Sequence, residues 1–157
     1  MEVYYNGKLM KDGEFLKVSE TQVEPEIKLN KSQNNIYTLI LYDPDAVGGT
    51  HIHWSIINIT SNDIKTGNII IPYKGPAPPP KSGKHRYNFC LYKQNRENNI
   101  EPIDKIQIEI DDLENMLKVG EPIFETKFIS ENESGGRKRK SKTKRRKNKK
   151  LKRTRRH

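Results

Sequence analysis

Four side chains, brought together, would make a site for an anion: Asp43, His53, His85 and Tyr87. Each lies at the edge of an apolar run, beside residues that bend or expose the backbone. Asp43 sits in Tyr42-Asp43-Pro44-Asp45-Ala46, and His53 in His51-Ile52-His53-Trp54. His85 and Tyr87 follow a Gly/Pro loop in Gly83-Lys84-His85-Arg86-Tyr87. Imidazoles and a phenol donate hydrogen bonds, and glycine lets a backbone N–H approach a ligand closely. A neighbouring carboxylate would orient an imidazole and favour its protonated form.

Other chemistries fit less well. His51 and His53, two apart, would share a face of a strand and accept a metal with Asp45 as third ligand, but no fourth ligand is evident, so neither metal nor cofactor is expected. No serine lies in a nucleophile-elbow pattern, and Cys90 is set in the apolar run Tyr87-Asn88-Phe89-Cys90-Leu91-Tyr92 with no activating neighbour. A His–Asp pair could exchange protons, yet no bond to break is indicated. A non-enzymatic binding role is expected. Trp54 reads as core, and Arg86, on the opposite strand face from His85 and Tyr87, as an ion-pair partner.

The elements that must position these residues are mostly strands. Asn6-Gly7, between Val3-Tyr4-Tyr5 and Leu9-Met10, predicts a hairpin whose two central positions take positive φ. Residues 23–30 predict a strand. Ile36–Tyr42 predicts a central strand, because a nearly continuous apolar run needs burial on both faces. His53–Ile59 and Tyr87–Lys93 predict two more, separated by the Pro-rich loop Tyr73–Gly83, which cannot be sheet. The alternation Ile106-Gln107-Ile108-Glu109-Ile110 predicts a half-exposed strand. Asp111-x-x-Glu114 reads as a capping box that opens a short helix ending near Gly120, and Ile123–Ile129 as a last strand. The expected fold class is mostly β.

Charge divides the 157-residue chain unevenly. Between Arg137 and His157 there are fifteen Lys and Arg and no acidic residue, so residues 1–136 carry fifteen basic against twenty acidic groups, a net −5. Residues 1–133 are expected to form one domain, and 134–157 a tail too polar to fold alone. The tail clusters Arg137, Lys138, Arg139, Lys140 and Lys144, Arg145, Arg146, Lys147 would neutralise nucleic-acid phosphates or an anionic membrane surface without sequence preference. They also suit a nuclear address. The N-terminus has no basic-then-apolar leader, and no apolar run approaches the ~20 residues of a transmembrane helix. An intracellular protein, cytoplasmic or nuclear, is expected.

The same residues match a family. Asp43-Pro44-Asp45-Ala46, then His53-Trp54 with Asn58 downstream, then Tyr73-x-Gly75-x-x-Pro78-Pro79-x-x-x-Gly83-x-His85-Arg86-Tyr87 resemble the signature blocks of the phosphatidylethanolamine-binding proteins. Thr21-Gln22 with Pro25, and Gly120-Glu121-Pro122-Ile123-Phe124, resemble an early and a late family element, so the resemblance spans about residues 1–130. It implies a large antiparallel sheet packed on a smaller one, with one or two short helices. It also implies a pocket for a phosphate-like group, such as a phospholipid headgroup or a phosphorylated side chain. By the same resemblance the pocket would use Asp43, His53, His85 and Tyr87, with Gly75, Pro78 and Pro79 as wall and Tyr73 at the mouth. Partners of the kinase, protease or phosphoprotein kind, with a regulating or scaffolding role, follow from the resemblance alone. Val47 stands where the family usually has proline, His51 where an aromatic is common, and the loop Gly48-Gly49-Thr50 is short. The Gly-Gly-then-basic ending is similar in composition to termini of large-DNA-virus proteins, which adds the virion or infected host cell to the expected locations. A second reading makes the tail primary, with the β-domain as a platform for nucleic-acid association.

Overall fold

The run Ile36–Tyr42 needs partners on both edges and cover on both faces, and it has them. In the computed structural model, which describes residues 1–30 and 34–135, this run is strand β5 (Ile36–Asp43), in the middle of a six-stranded sheet. The other strands are β1 (Glu2–Tyr5), β2 (Lys8–Leu9), β3 (Glu14–Phe15), β4 (Glu26–Lys28), β6 (His51–Ile59), β7 (Asn68–Ile71), β8 (Lys84–Gln94) and β9 (Phe124–Glu131). The large sheet runs β3-β9-β8-β5-β6-β7 and the small one β2-β1-β4. All pairings are antiparallel except β3 with β9, which is parallel.

Strand periodicity sends alternate residues of β5 to opposite faces. Tyr37, Leu39 and Leu41 join Val3, Tyr5, Ile27, Trp54, Phe89 and Phe128 in one core cluster, which the small sheet covers. Ile40 joins Ile52, Ile57, Ile70, Cys90 and Tyr92 in a second, closed by Leu113 and Leu117 of helix α1 (Ile110–Leu117). Burying a large apolar side chain contributes about 1.5–3 kcal/mol, and the polar Thr38 of β5 is accommodated in full burial because its hydroxyl donates to Gln94 Oε1 at 2.7 Å. The hairpin forms as its turn requires, with φ of 52° at Asn6 and 77° at Gly7.

Several elements differ from expectation. Residues 106–110 do not form a strand: Gln107 makes a single bridge to His51, and Ile52 N–H donates to Ile106 O at 2.8 Å. Ile106, Ile108 and Ile110 are nonetheless half-buried against the second cluster. Alternation reports one buried side, which an extended strap has as much as a strand does; ladder partners decide between them. The Asp111-x-x-Glu114 capping box is also not used. The helix begins two residues earlier, with Glu109 as N-cap, and Glu114 instead accepts from Tyr92 Oη at 2.6 Å. The helix ends at left-handed Lys118 (φ 53°), before Gly120. The predicted strand over 23–30 shortens to β4, while β6 and β8 begin earlier than expected, which adds His51 and His85 to the strands that hold His53 and Tyr87. The short β3 and β7 were not anticipated. Among the described residues no helix is long and apolar enough to cross a membrane.

Candidate functional site

Antiparallel pairing brings the end of β5 beside the starts of its two neighbours. Asp43 lies opposite His51 on β6, and Tyr42 lies opposite Asn88 on β8. The period of two then puts His51 and His53 on one face of β6, and His85 and Tyr87 on one face of β8. The Pro-rich loop after β7 closes over them. The result is a cavity of about 200 Å³ lined by Asp43, Ala46, Val47, His51, His53, Lys74, Gly75, Ala77, Pro78, Pro79, His85 and Tyr87.

His85 and Asp43 form its buried base, with Nδ1 to Oδ2 at 2.7 Å and both side chains under 5 % exposed. The second oxygen of Asp43 accepts the Asp45 N–H at 2.8 Å. Nε2 of His85 meets Ser82 Oγ at 2.9 Å, and Ser82 Oγ–H reaches Pro79 O at 2.7 Å. On the β6 side, His53 Nδ1 meets Lys74 O at 2.7 Å. A carbonyl only accepts, so that nitrogen carries the hydrogen. Burial holds the His53 pKa below the usual histidine value, and burial followed by the Lys74 charge does the same for His51. Neutral His53 thus turns a lone pair, at Nε2, away from the Lys74 carbonyl. The Tyr87 ring meets His53 edge-on at 5.2 Å, lies nearly parallel to His85 at 6.5 Å, and stacks on Phe128 at 5.0 Å. Burial, then the Asp43 carboxylate, raises its phenol pKa, so it is a donor throughout the physiological range.

Seven of the eight residues expected at a ligand pocket therefore line one cavity: Asp43, His53, Gly75, Pro78, Pro79, His85 and Tyr87. Tyr73 does not. Its hydroxyl donates to Thr21 O at 2.5 Å and meets Tyr5 Oη at 3.0 Å, its ring packs edge-on against Trp54, and burial pushes its pKa up to about 12. An aromatic ring flanked by apolar residues is drawn into the core once its hydroxyl has partners. Trp54 is buried in the first cluster. Arg86 forks onto Asp45 with both contacts under 3 Å, holding that carboxyl below the usual range. Asn58 lies far from the cavity as a structural hub: at φ 59° it donates to Asn98 O and accepts from Gln94 Nε2 and Asn98 N. Gly75 has a packing reason as well, since a Cβ there would sit 2.8 Å from Thr21 O. Thr21-Gln22, far away in sequence, is thus the bed of the cavity loop, and Gln22 Nε2 donates to Pro76 O at 2.8 Å.

Sequence reasoning did not assign Lys74 or Ser82, although both fall inside the motif block that runs from Tyr73 to Tyr87. The basic clusters Arg137, Lys138, Arg139, Lys140 and Lys144, Arg145, Arg146, Lys147 lie outside the described residues. Among the described residues no group of three or more His, Cys, Asp or Glu is placed to hold a metal ion. Cys90 is buried, and burial pushes its thiol pKa up to about 12, so it is no nucleophile at neutral pH.

Comparison with known proteins identifies the family to which this fold belongs. The family model described as Phosphatidylethanolamine-binding protein matches residues 5–128. "CEN-like protein 1" of Nicotiana tabacum is 30% identical over 151 residues, covering 88% of this chain and 84% of that protein. "Protein SELF-PRUNING" of Solanum lycopersicum is 26% identical over 147 residues, covering 87% and 83%. Among solved structures, a phosphatidylethanolamine-binding protein from Plasmodium vivax superposes with a TM-score of 0.71 at 19% identity, over 83% of this chain and 84% of that one. The chain is a member of the phosphatidylethanolamine-binding protein family.

Proposed function

We propose that residues 1–133 are a binding module that holds a phosphate-like anion, on a lipid headgroup or a phosphorylated partner, in the cavity between β6, β8 and the Pro-rich loop. Its role is to regulate or scaffold the partner so held. The observation that carries this reading is the convergence of His51, His53, His85, Lys74 and Tyr87 on one small cavity. Only one carboxylate lines that wall, and its oxygens are already taken by His85 Nδ1 and the Asp45 N–H. Lys74 is exposed beside it and supplies a cation that needs no desolvation before a ligand arrives. The cavity volume suits a headgroup-sized anion rather than a drug-sized apolar ligand.

Binding, not turnover, is the reading these contacts support. Ser82, His85 and Asp43 are strung together in the donor order of a serine-hydrolase relay. Ser82 Oγ, however, is not part of the cavity wall, and its hydrogen is also claimed by Pro79 O. Labelling of Ser82 by a fluorophosphonate would overturn the non-enzymatic assignment.

The direct test is titration of the full chain with inorganic phosphate, followed residue by residue in NMR spectra. The fifteen cations of the tail also attract phosphate, so only resolved signals are informative. Saturable shifts at His53, His85 and Tyr87, lost in His53→Ala, are expected. Shifts confined to the tail would sink the proposal.

A further inference from the structure

We infer that Ser82 is a built-in competitor for His85, a latch that an incoming anion must displace; the inference rests on the anion-pocket reading above. An imidazole has two nitrogens with which to meet a ligand. Nδ1 of His85 is committed to the buried Asp43 carboxylate at 2.7 Å, which leaves Nε2, and Nε2 is held by Ser82 Oγ at 2.9 Å. In this arrangement His85 lines the cavity yet has no free polar atom for a ligand. An anion oxygen reaches this ring only by replacing the serine hydroxyl.

The network is arranged so that replacement is cheap for the serine. Ser82 Oγ has a second partner, Pro79 O at 2.7 Å, and the Ser82 N–H donates to the same carbonyl at 3.2 Å. One hydrogen on Oγ therefore serves two states. With neutral His85, Oγ–H points at Nε2. With His85 protonated, Nε2–H donates to Oγ, and Oγ–H turns to Pro79 O. In the second state every donor has an acceptor, from Asp45 N–H and His85 through Ser82 to Pro79. When an anion takes Nε2–H, Ser82 keeps its bond to Pro79 O and leaves no unpaired hydroxyl.

The turn that carries Ser82 is built for such exchange. Ser82 is half-buried, and its neighbours Lys81 and Gly83 both hold positive φ, at 66° and 82°. Its loop is also the cavity wall, because Pro78 and Pro79 line the site and Pro78 O is tied to Asn132 Nδ2 at 3.0 Å. Release of Ser82 thus moves a residue adjacent to the wall without unfastening the wall itself.

The test uses the full chain, Ser82→Ala, and the double variant Ser82→Ala/His85→Gln, titrated with inorganic phosphate and read at the His53 and Tyr87 resonances. Removing a hydrogen bond that the ligand must otherwise break is expected to tighten phosphate binding by about 2- to 10-fold, the equivalent of one ordinary net hydrogen bond. The double variant should lose that gain. The ligand-free ring ¹⁵N shift of His85 Nε2 should also move in Ser82→Ala, which checks the contact without any ligand. Unchanged or weaker binding in Ser82→Ala, with wild type still saturable at the cavity, would overturn the latch and leave the pocket reading standing. Absence of cavity shifts in both wild type and Ser82→Ala would overturn both.

Discussion

The two sides of the cavity use the same residue type in opposite ways. On the β8 side, His85 is clamped at both ends of its ring, by a buried carboxylate and by a hydroxyl. On the β6 side, His53 has one fixed partner, a neutral carbonyl, and its ring rests against Tyr87 and His51. At His53, burial first and then the neighbouring His51 oppose a charged imidazole, against the Lys74 carbonyl that favours one. The cavity therefore joins a histidine held at both ring nitrogens to one held at a single nitrogen, and the lowered pKa of the second makes it the adjustable group as pH changes. The role of each is set by what faces it across the fold.

The comparison can be broken most directly at Asp43. Asp43→Ala leaves the His85 Nδ1–H and the Asp45 N–H without their acceptor in a site almost closed to water. A loss of about 3–5 kcal/mol in urea unfolding is expected, as for other buried pairs from which one partner is removed. His53→Phe keeps the ring volume and orphans only Lys74 O, so about 1–2 kcal/mol is expected. Equal losses in the two variants would erase the distinction between the two sides.

The His53 substitution sharpens the comparison further when stability is followed against pH. Burial depresses the folded-state pKa of His53 below the ordinary 6.5, so below pH 6.5 the unfolded chain binds more protons than the folded one. Wild-type stability should be fully present above pH 6.5 and fall as the pH drops from there to the folded pKa. His53→Phe should flatten that slope in urea midpoints measured from pH 5 to 8. Some slope should remain, because the His51 pKa is lowered as well. A variant as steep as wild type would mean that His53 is not the adjustable group.

Two smaller effects mark the limits of the site. Tyr73→Phe removes the donor to Thr21 O and the contact with Tyr5, and should cost about 1 kcal/mol of stability while leaving phosphate affinity unchanged. A clear loss of affinity would return Tyr73 to the mouth. Arg86→Ala breaks a pair whose arginine side chain is 53% exposed, so about 0.5 kcal/mol or less is expected, shrinking with added salt.

Much of this architecture was legible in the chain. The Asn6-Gly7 turn was clear because few dipeptides tolerate two positive φ values, and β5 was clear because only a central strand needs apolar residues at both parities. Asp43, His53, His85 and Tyr87 were singled out by their places at strand ends beside Gly and Pro and by the family's blocks, and the fold brings all four to one cavity. The strap over 106–110 was misread as a strand because its isoleucines alternate for packing, while its backbone finds one bridge, to His51, before turning into the helix. Glu109 shows the same limit: its carboxylate accepts from Thr50 N and Oγ1, across 59 positions, which no local pattern announces. The two-residue β3 and the edge strand β7 are too short to carry a period of their own.

The sequence by itself determined the long central strands, the Asn6-Gly7 turn, the division between an acidic body and a basic tail, and the set of residues available for binding an anion. These follow from side-chain type and spacing, which act over a few residues. Only the tertiary structure decided that Tyr73 belongs to the core, that Asn58 and Gly75 hold distant segments together, and that Ser82 occupies the free nitrogen of His85. Those outcomes depend on which groups meet across sheets and loops. Hydrogen bonds and burial energies are set by distance in space, and local spacing along the chain does not encode that distance.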